Sequence, residues 1–234
     1  MKKNDQLQVG GFTPFSSLDY PGCLSAVVWV QGCPWRCTYC HNPHLQTRNG
    51  HTRFDWLTIL NFLKRRTGLL DAVVFSGGEA TIDHHLPQAM AEVRQLGFRV
   101  ALHTAGACPA RLERVLPYVD WVGIDAKTEW ENYKPLTGIQ NSGENGYRSL
   151  EAVLASKADY EVRTTVHPDF ISEPALLRLA SRLRQLGVQR YAVQAFRNTG
   201  CNPDRFQAKE APGFPSQETL KTLREMFENF EFRY

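Results

Sequence analysis

The sequence lacks an apolar run long enough to cross a membrane. The apolar run in the first candidate strand covers only residues 26–30, whereas a transmembrane helix needs about 20 consecutive apolar residues. The first six residues are polar and contain no apolar segment of the kind found in secretory signals. These absences predict a cytoplasmic protein with no membrane partner.

A marked excess of charge of one sign is also lacking. The chain has 27 lysines and arginines against 24 aspartates and glutamates, a net charge of +3. This is too weak a bias to predict the basic surface that nucleic acids require. Internal repeats, low-complexity tracts and obvious linkers are absent as well. We therefore predict one domain over residues 1–234, with an N-terminal extension at 1–22 and a C-terminal loop and helix at 197–234.

Short runs of β-branched, aromatic and small apolar residues alternate with helical patterns. Asp55 and Ser172 are suited to cap helices, and Gly68 and Gly187 are suited to end them. The alternation predicts an α/β fold in which a parallel sheet has its helices outside. Six units are too few for a closed eightfold barrel, so we predict a partial (β/α)6 barrel, with a flat doubly wound sheet as the alternative. The candidate strands are 24–30, 72–76, 98–103, 119–124, 160–166 and 189–196.

In either architecture the loops that follow the strands form the functional face. The first of these loops carries Cys33, Cys37 and Cys40 in a C-x3-C-x2-C spacing. Stable disulfides are rare in a reducing compartment, and thiolates are the ligands that iron–sulfur clusters and zinc prefer. His41 or His44 could complete a four-ligand zinc site. The residues alone thus leave both an iron–sulfur cluster and zinc open. The predicted loops are 31–53, 77–85, 104–108, 125–148, 167–172 and 197–215.

The cysteine spacing and its place after the first strand resemble the cluster loop of the radical S-adenosylmethionine (radical SAM) enzymes. The resemblance implies that Cys33, Cys37 and Cys40 hold three irons of one [4Fe–4S] cluster. In that family the fourth iron takes the amino and carboxylate groups of SAM. The aromatic residue before the last cysteine, here Tyr39, would lie near the adenine.

The second candidate strand ends in Gly77, Gly78 and Glu79, which is similar to the Gly-Gly-Glu motif of the same family. Glycines allow a ligand to approach the backbone closely, and a carboxylate can accept a charge-assisted hydrogen bond from an ammonium group. The resemblance implies that these three residues bind the methionine part of SAM.

Further matches follow the later strands. Thr104 lies in a segment that resembles the family's Asp-Thr-Asn-Gly, and Asp125 begins the counterpart of Asp-Leu-Lys. The resemblance gives both residues a role in SAM binding, which in the family depends partly on a monovalent cation. His103 replaces the first aspartate, and imidazole is a poor ligand for a hard cation. Arg163 matches a family arginine near the SAM carboxylate, where its planar fork suits a bidentate contact.

The N-terminal stretch at residues 13–22, together with Cys-His-Asn-Pro at residues 40–43, resembles the glycyl-radical-enzyme activating enzymes, and the family's Asp-x-Pro-Gly turn is present at residues 19–22. Within that group, the residues of this N-terminal stretch are most similar to those of the activating proteins of anaerobic ribonucleoside-triphosphate reductase. The resemblance implies reductive cleavage of SAM and abstraction of a hydrogen atom from a glycine of that reductase, with Asp19 near the partner's peptide loop. It also implies an electron donor such as flavodoxin or ferredoxin. The alternatives are a radical SAM enzyme that modifies a small molecule or another peptide, and a zinc-binding interaction protein.

Overall fold

Eight strands, hydrogen-bonded in the order in which they occur in the chain, form one sheet. The computed structural model describes residues 6–48, 54–202, 206 and 209–234. β1 is antiparallel to β2, and each later neighbouring pair is parallel. The strands are β1 (Val9–Ser16), β2 (Ser25–Val30), β3 (Ala72–Gly77), β4 (Arg99–Thr104), β5 (Trp121–Asp125), β6 (Asp159–Val166), β7 (Arg190–Ala195) and β8 (Asn229–Arg233).

The sequential strand order confirms the partial barrel and shows that the doubly wound alternative is wrong. A doubly wound sheet reverses its strand order at a switch point, and this sheet has no reversal among the described strands. The six predicted parallel strands correspond to β2–β7. β1 and β8 border the sheet without pairing with each other, so the barrel is open.

The prediction of six strands missed β1 and β8. β1 lies in the predicted extension at 1–22 and contains Gly10, Gly11 and Pro14, residue types that are depleted in strands. β8 lies in the predicted C-terminal loop and helix, and it is only five residues long. Both strands are at sheet edges, where such residues and short lengths are tolerated.

Seven α-helices accompany the strands in the part of the chain that the structure describes. The two predicted N-caps are confirmed, because Asp55 and Ser172 each accept a hydrogen bond from the backbone N–H three residues later, and Ser216 caps the last helix in the same way. The helices are α1 (Trp56–Lys64), α2 (Leu86–Gln95), α3 (Pro109–Val115), α4 (Tyr133–Thr137), α5 (Ser142–Leu154), α6 (Glu173–Gln185) and α7 (Gln217–Met226). None of the helices in the described ranges is both long and apolar enough to span a membrane.

The prediction of one long loop at 125–148 is wrong, because this stretch contains α4 and the start of α5. Its glycines and proline read as helix breakers in the sequence. In the structure, Gly143 is required for packing, since a Cβ there would overlap the carbonyl oxygen of Trp130. α4 contacts the cysteine loop, because the backbone N–H groups of Arg36 and Thr38 donate to the carbonyls of Thr137 and Leu136.

The two faces of the sheet differ in polarity. The face toward the helices supplies the main core, which includes Val122 and Ile124 of β5. Alternate residues point to the inside of the barrel, where Val27, Val74 and Trp121 belong to a smaller apolar cluster. Toward the carboxyl ends of the strands the inner face becomes polar. The polar end is where a ligand can be held.

Candidate active site

A cavity of about 420 Å³ opens at the carboxyl ends of β2–β7. It brings together ten of the eleven site residues predicted from the sequence, and only Glu79 is missing from its wall. We call this space the inner cavity. The ten predicted residues in its wall are Asp19, Cys33, Cys37, Tyr39, Cys40, Gly77, Gly78, Thr104, Asp125 and Arg163.

The cysteine loop is held in place by backbone hydrogen bonds to neighbouring segments. The N–H of Cys33 donates to the carbonyl of Gln46 at 3.0 Å, and that of Arg36 donates to the carbonyl of Thr137, at the end of α4, at 2.8 Å. The Arg36 side chain donates back to the Cys33 carbonyl at 2.6 Å. The loop therefore has a defined shape that aims its three cysteines at one space.

The three cysteines are free thiols. Burial raises the pKa of Cys33 to about 12, and the nearby Glu79 carboxylate and the other two thiols contribute in the same direction. Burial also raises the pKa of Cys37. Thiols in such an environment ionise readily only when a cation is bound beside them. Their chemistry fits a metal centre that compensates three converging negative charges.

Gly77 and Gly78 are required by the backbone conformation and the close contacts at the end of β3. Gly77 has φ of +127°, a backbone conformation that favours glycine. A Cβ at Gly78 would overlap the carbonyl oxygen of Gly32 and would lie 2.9 Å from that of Leu45. The sequence prediction gave these glycines the role of admitting a ligand. The structure adds that protein backbone already occupies the space beside them.

Glu79 is buried, with 1% of its surface exposed, and it does not line the inner cavity. Its carboxylate accepts hydrogen bonds from the Thr81 hydroxyl at 2.6 Å, the Thr104 hydroxyl at 2.8 Å and the Ala105 N–H at 2.9 Å. These bonds fasten the segment after β3 to the end of β4. Glu79 thereby positions Thr104, whose surface does face the cavity, while its predicted contact with SAM stays a prediction.

Asp125 is paired with Lys127, a residue that the sequence reasoning did not select. The Lys127 Nζ lies 2.8 Å from Asp125 Oδ2 and 5.4 Å from the centre of the Tyr39 ring. Burial alone would lower the pKa of Lys127, but Asp125, Tyr39 and Cys37 raise it well above its ordinary value. An ammonium group is therefore fixed in the cavity wall. Its signal in the sequence was its place two residues after Asp125.

Arg163 is held from two sides on the inner face of β6. Its Nε donates to Glu161 at 2.8 Å, and its guanidinium carbon lies 5.0 Å from the centre of the Trp121 ring. Glu161 also accepts two bonds from Arg233 of β8 at 2.8 Å each. Burial alone would raise the pKa of Glu161, but Arg233 and Arg163 lower it below its usual value.

A larger outer cleft of about 740 Å³ adjoins the inner cavity. Asp19 and His103 line both spaces, and the His103 Nε2 lies 2.8 Å from the backbone oxygen of Asp19. Burial and the Arg163 guanidinium lower the pKa of His103 to about 3, so the imidazole is neutral. We call the residues shared by the two spaces the neck; they are Asp19, His41, His103, Arg163, Thr165 and Gln194.

Comparison with known proteins identifies this arrangement. The sequence pattern of the radical SAM superfamily matches residues 27–180, which include the cysteine loop, most of β2 and all of β3–β6. The chain belongs to the radical SAM superfamily. Enzymes of this superfamily use a [4Fe–4S] cluster and SAM, and this chain is accordingly a radical SAM enzyme.

Relatives within the radical SAM superfamily cover most of the chain. A Methanocaldococcus jannaschii protein named for glycyl-radical enzyme activation is 28% identical over 224 residues, 92% of this chain and 89% of the relative. The pyruvate formate-lyase-activating enzyme of Clostridium pasteurianum is 28% identical over 196 residues, 79% and 80% of the two chains. QueE from Escherichia coli has the same fold, with a TM-score of 0.59, 15% identity and coverage of 98% and 94%.

The radical SAM cofactors fit the residues present. Three free thiols on one cavity supply three cluster ligands and leave one position open for SAM. The alternative Cys3His zinc site is disfavoured. The His41 Nε2 is bound to the carbonyl of Arg197 at 2.9 Å, and His44 is exposed and does not line the inner cavity.

The environment of Tyr39 in this radical SAM site was not evident from the sequence. Its ring is buried, and it stacks on Phe170 with 4.2 Å between ring centroids. Phe196 packs edge-on against both rings. These partners follow β6 and β7, far from Tyr39 in the chain. The predicted contact of Tyr39 with the adenine of SAM stays a prediction.

A second group of potential ligands does not belong to the radical SAM site. Asp83, His84 and His85 place their ligating atoms within 4.8 Å of one another. The Asp83 carboxylate already accepts from the Arg48 guanidinium at 3.0 Å and from the backbone N–H groups of Gln8 and His85. Because a cation and two amides occupy this carboxylate, we assign no metal to the group.

Proposed function

We propose that this radical SAM enzyme generates a glycyl radical on a partner enzyme, anaerobic ribonucleoside-triphosphate reductase. The observation that carries the proposal is the open path from the inner cavity, through the neck, to the outer cleft. The outer cleft has exposed apolar side chains at its rim, with Leu18 88% exposed and Tyr234 71% exposed. A segment of another protein can be accommodated there more readily than a small molecule, which usually binds in an enclosed pocket.

The relatives support the same activity. Two of them match this chain over four fifths or more of their own length. One is named for the activation of a glycyl-radical enzyme and the other for the activation of pyruvate formate-lyase. The choice of the reductase as partner rests on motif resemblance alone, that of the N-terminal stretch at residues 13–22 with its turn at 19–22. In this proposal Asp19 contacts the partner's glycine-bearing loop, since it lines the outer cleft as well as the neck.

The residues of the inner cavity have separate tasks in the proposed reaction. Cys33, Cys37 and Cys40 would hold the cluster. When bound, the cluster and SAM supply the electron transfer and the organic radical that removes a hydrogen atom from the partner's glycine.

The other residues of the inner cavity would bind SAM. Lys127 and Arg163 are cations in the wall that suit the SAM carboxylate, and Asp125 is an anion that suits its positive groups. Burial among aromatic rings lets Tyr39 exclude water. The predicted SAM-binding residues are Tyr39, Gly77, Gly78, Glu79, Thr104, Asp125 and Arg163.

The test is anaerobic incubation of cluster-loaded protein with SAM, the reductase and a reductant, either dithionite or reduced flavodoxin or ferredoxin. We expect the doublet of a glycyl radical in the electron paramagnetic resonance spectrum of the reductase, and none with the Cys37→Ala variant. Release of 5′-deoxyadenosine without a doublet would refute the reductase as partner and would favour a radical SAM enzyme for another peptide or a small molecule. Absence of both would contradict the proposed chemistry.

A further inference from the structure

His103 stands where the inner cavity meets the outer cleft. The walls of both spaces include His103 together with Asp19 and Arg163. A group that reaches from the outer cleft toward the cysteines therefore passes this imidazole. None of the roles described above uses His103, so its contacts need an explanation of their own.

The proton on His103 can be placed from its neighbours. Nε2 lies 2.8 Å from the backbone oxygen of Asp19. A carbonyl oxygen only accepts hydrogen bonds, so Nε2 carries the proton and donates it to this bond. The Arg163 Nη1 lies 3.5 Å from the same nitrogen. Because a guanidinium also only donates, Arg163 is a packed neighbour of the ring and not its hydrogen-bond partner.

The bond joins the end of β4 to the backbone of the N-terminal turn. The Asp19 carboxylate is already used inside the turn, where it accepts from the Ser16 hydroxyl at 2.5 Å. The next residue, Tyr20, stacks on Trp121 with 5.5 Å between ring centroids. Tyr20 thus gives the turn an apolar contact with the barrel, and His103 gives it a polar one that fixes the direction of the Asp19 carbonyl.

The imidazole itself is held in place. It packs edge-on against Trp121, with 5.7 Å between ring centroids, while the Arg163 guanidinium covers the same indole. The Nε2–H donor of His103 is therefore held in position, and it bonds directly to the backbone carbonyl of Asp19. An ordinary hydrogen bond of this kind changes an equilibrium by about two- to tenfold.

We propose that His103 is a positioning residue that fixes the Asp19 turn at the neck, so that a bound partner segment meets the inner cavity in one register. The part of this inference that concerns a partner segment rests on the proposed function. The tie between His103 and the turn does not depend on it and can be tested without a partner.

Two variants separate the hydrogen bond from the packing. His103→Phe keeps an aromatic ring against Trp121 and removes the donor, whereas His103→Gln keeps an N–H donor. Hydrogen–deuterium exchange of the cluster-loaded protein is followed by mass spectrometry in a peptide covering residues 17–24, with a peptide from α2 as the internal control. We expect about two- to tenfold faster exchange in the turn for His103→Phe, little change for His103→Gln, and no change in α2.

The second readout is the number of SAM molecules consumed per glycyl radical formed. It should rise about two- to tenfold in His103→Phe and return toward the wild-type ratio in His103→Gln. Equal exchange in the turn for wild type and His103→Phe would overturn the inference, and so would an equally large increase in α2. If the wild-type protein forms no glycyl radical, the proposed function fails, while the exchange result still decides the role of His103.

Discussion

Replacing Glu79 by alanine distinguishes a residue that binds a ligand from one that holds the barrel together. The carboxylate is 1% exposed and accepts hydrogen bonds from four donors. Two of them are hydroxyls, of Thr81 and Thr104, which can rotate toward other acceptors. The other two are backbone N–H groups, of Thr81 and Ala105, which cannot turn away.

The magnitude follows from those two amides. A buried donor left without a partner costs about 1–3 kcal/mol. This cost applies in full to the Thr81 N–H and in part to the Ala105 N–H, which lies beside the inner cavity, so Glu79→Ala should lower the free energy of unfolding by about 1–6 kcal/mol. That is a large share of the roughly 5–15 kcal/mol available to a protein of this kind. Glu79→Gln should cost less, because its oxygen still accepts, although its NH2 group faces one of the N–H donors.

The assay is anaerobic urea unfolding followed by circular dichroism, on samples of equal iron content. Glu113→Ala, at an exposed position of α3, is the matched control and should change the unfolding free energy by no more than about 0.5 kcal/mol. SAM affinity is measured on the same samples. If Glu79→Ala unfolds like the control while SAM binding falls, the carboxylate serves the ligand and the positioning role described above is wrong.

Three further predictions concern the cysteines, the ion network and the turn. Cys37→Ala should retain the fold but lose most of its iron and acid-labile sulfide, because a three-thiolate site has no spare ligand; an unchanged iron content would contradict the assignment. Since Arg233 and Arg163 hold the pKa of Glu161 below its usual value, its contribution to stability should be present above about pH 4.5 and be lost as the pH falls further. The thermal midpoint of wild type should therefore fall more steeply there than that of Glu161→Gln, and parallel curves would refute this. Asp19→Ala should raise the number of SAM molecules spent per glycyl radical, and an unchanged ratio would remove Asp19 from the partner surface.

Local sequence patterns were sufficient to predict the central strands but not the edge strands β1 and β8. β2, β3 and β5 contain continuous apolar runs because helices cover one face and the barrel interior covers part of the other, whereas β6 alternates apolar with polar residues. β1 carries Gly10, Gly11 and Pro14, which normally signal a loop. The antiparallel pairing with β2 overrides that preference, and pairing over a distance leaves no mark in a local pattern.

Some features of the site could likewise be predicted from the sequence, and others could not. Motif spacing was enough to gather the three cysteines, Thr104 and Arg163 around one cavity. It could not reveal that Glu79 faces the protein, since which neighbours surround a side chain depends on where β4 lies. The Phe170 stack on Tyr39 and the tie from His103 to Asp19 each join segments more than 80 residues apart, so neither could be read from spacing.

The open barrel leaves two strand edges that could template aggregation with other chains. The edge strand β1 has two interruptions in its register with β2 and contains Pro14, which offers no N–H to a new neighbour. The edge strand β8 is five residues long and alternates Phe230 and Phe232 with polar or charged side chains. The open side of the barrel is thus bordered by strands poorly suited to add further strands. These features should disfavour aggregation through the strand edges, even at the high concentrations of overexpression.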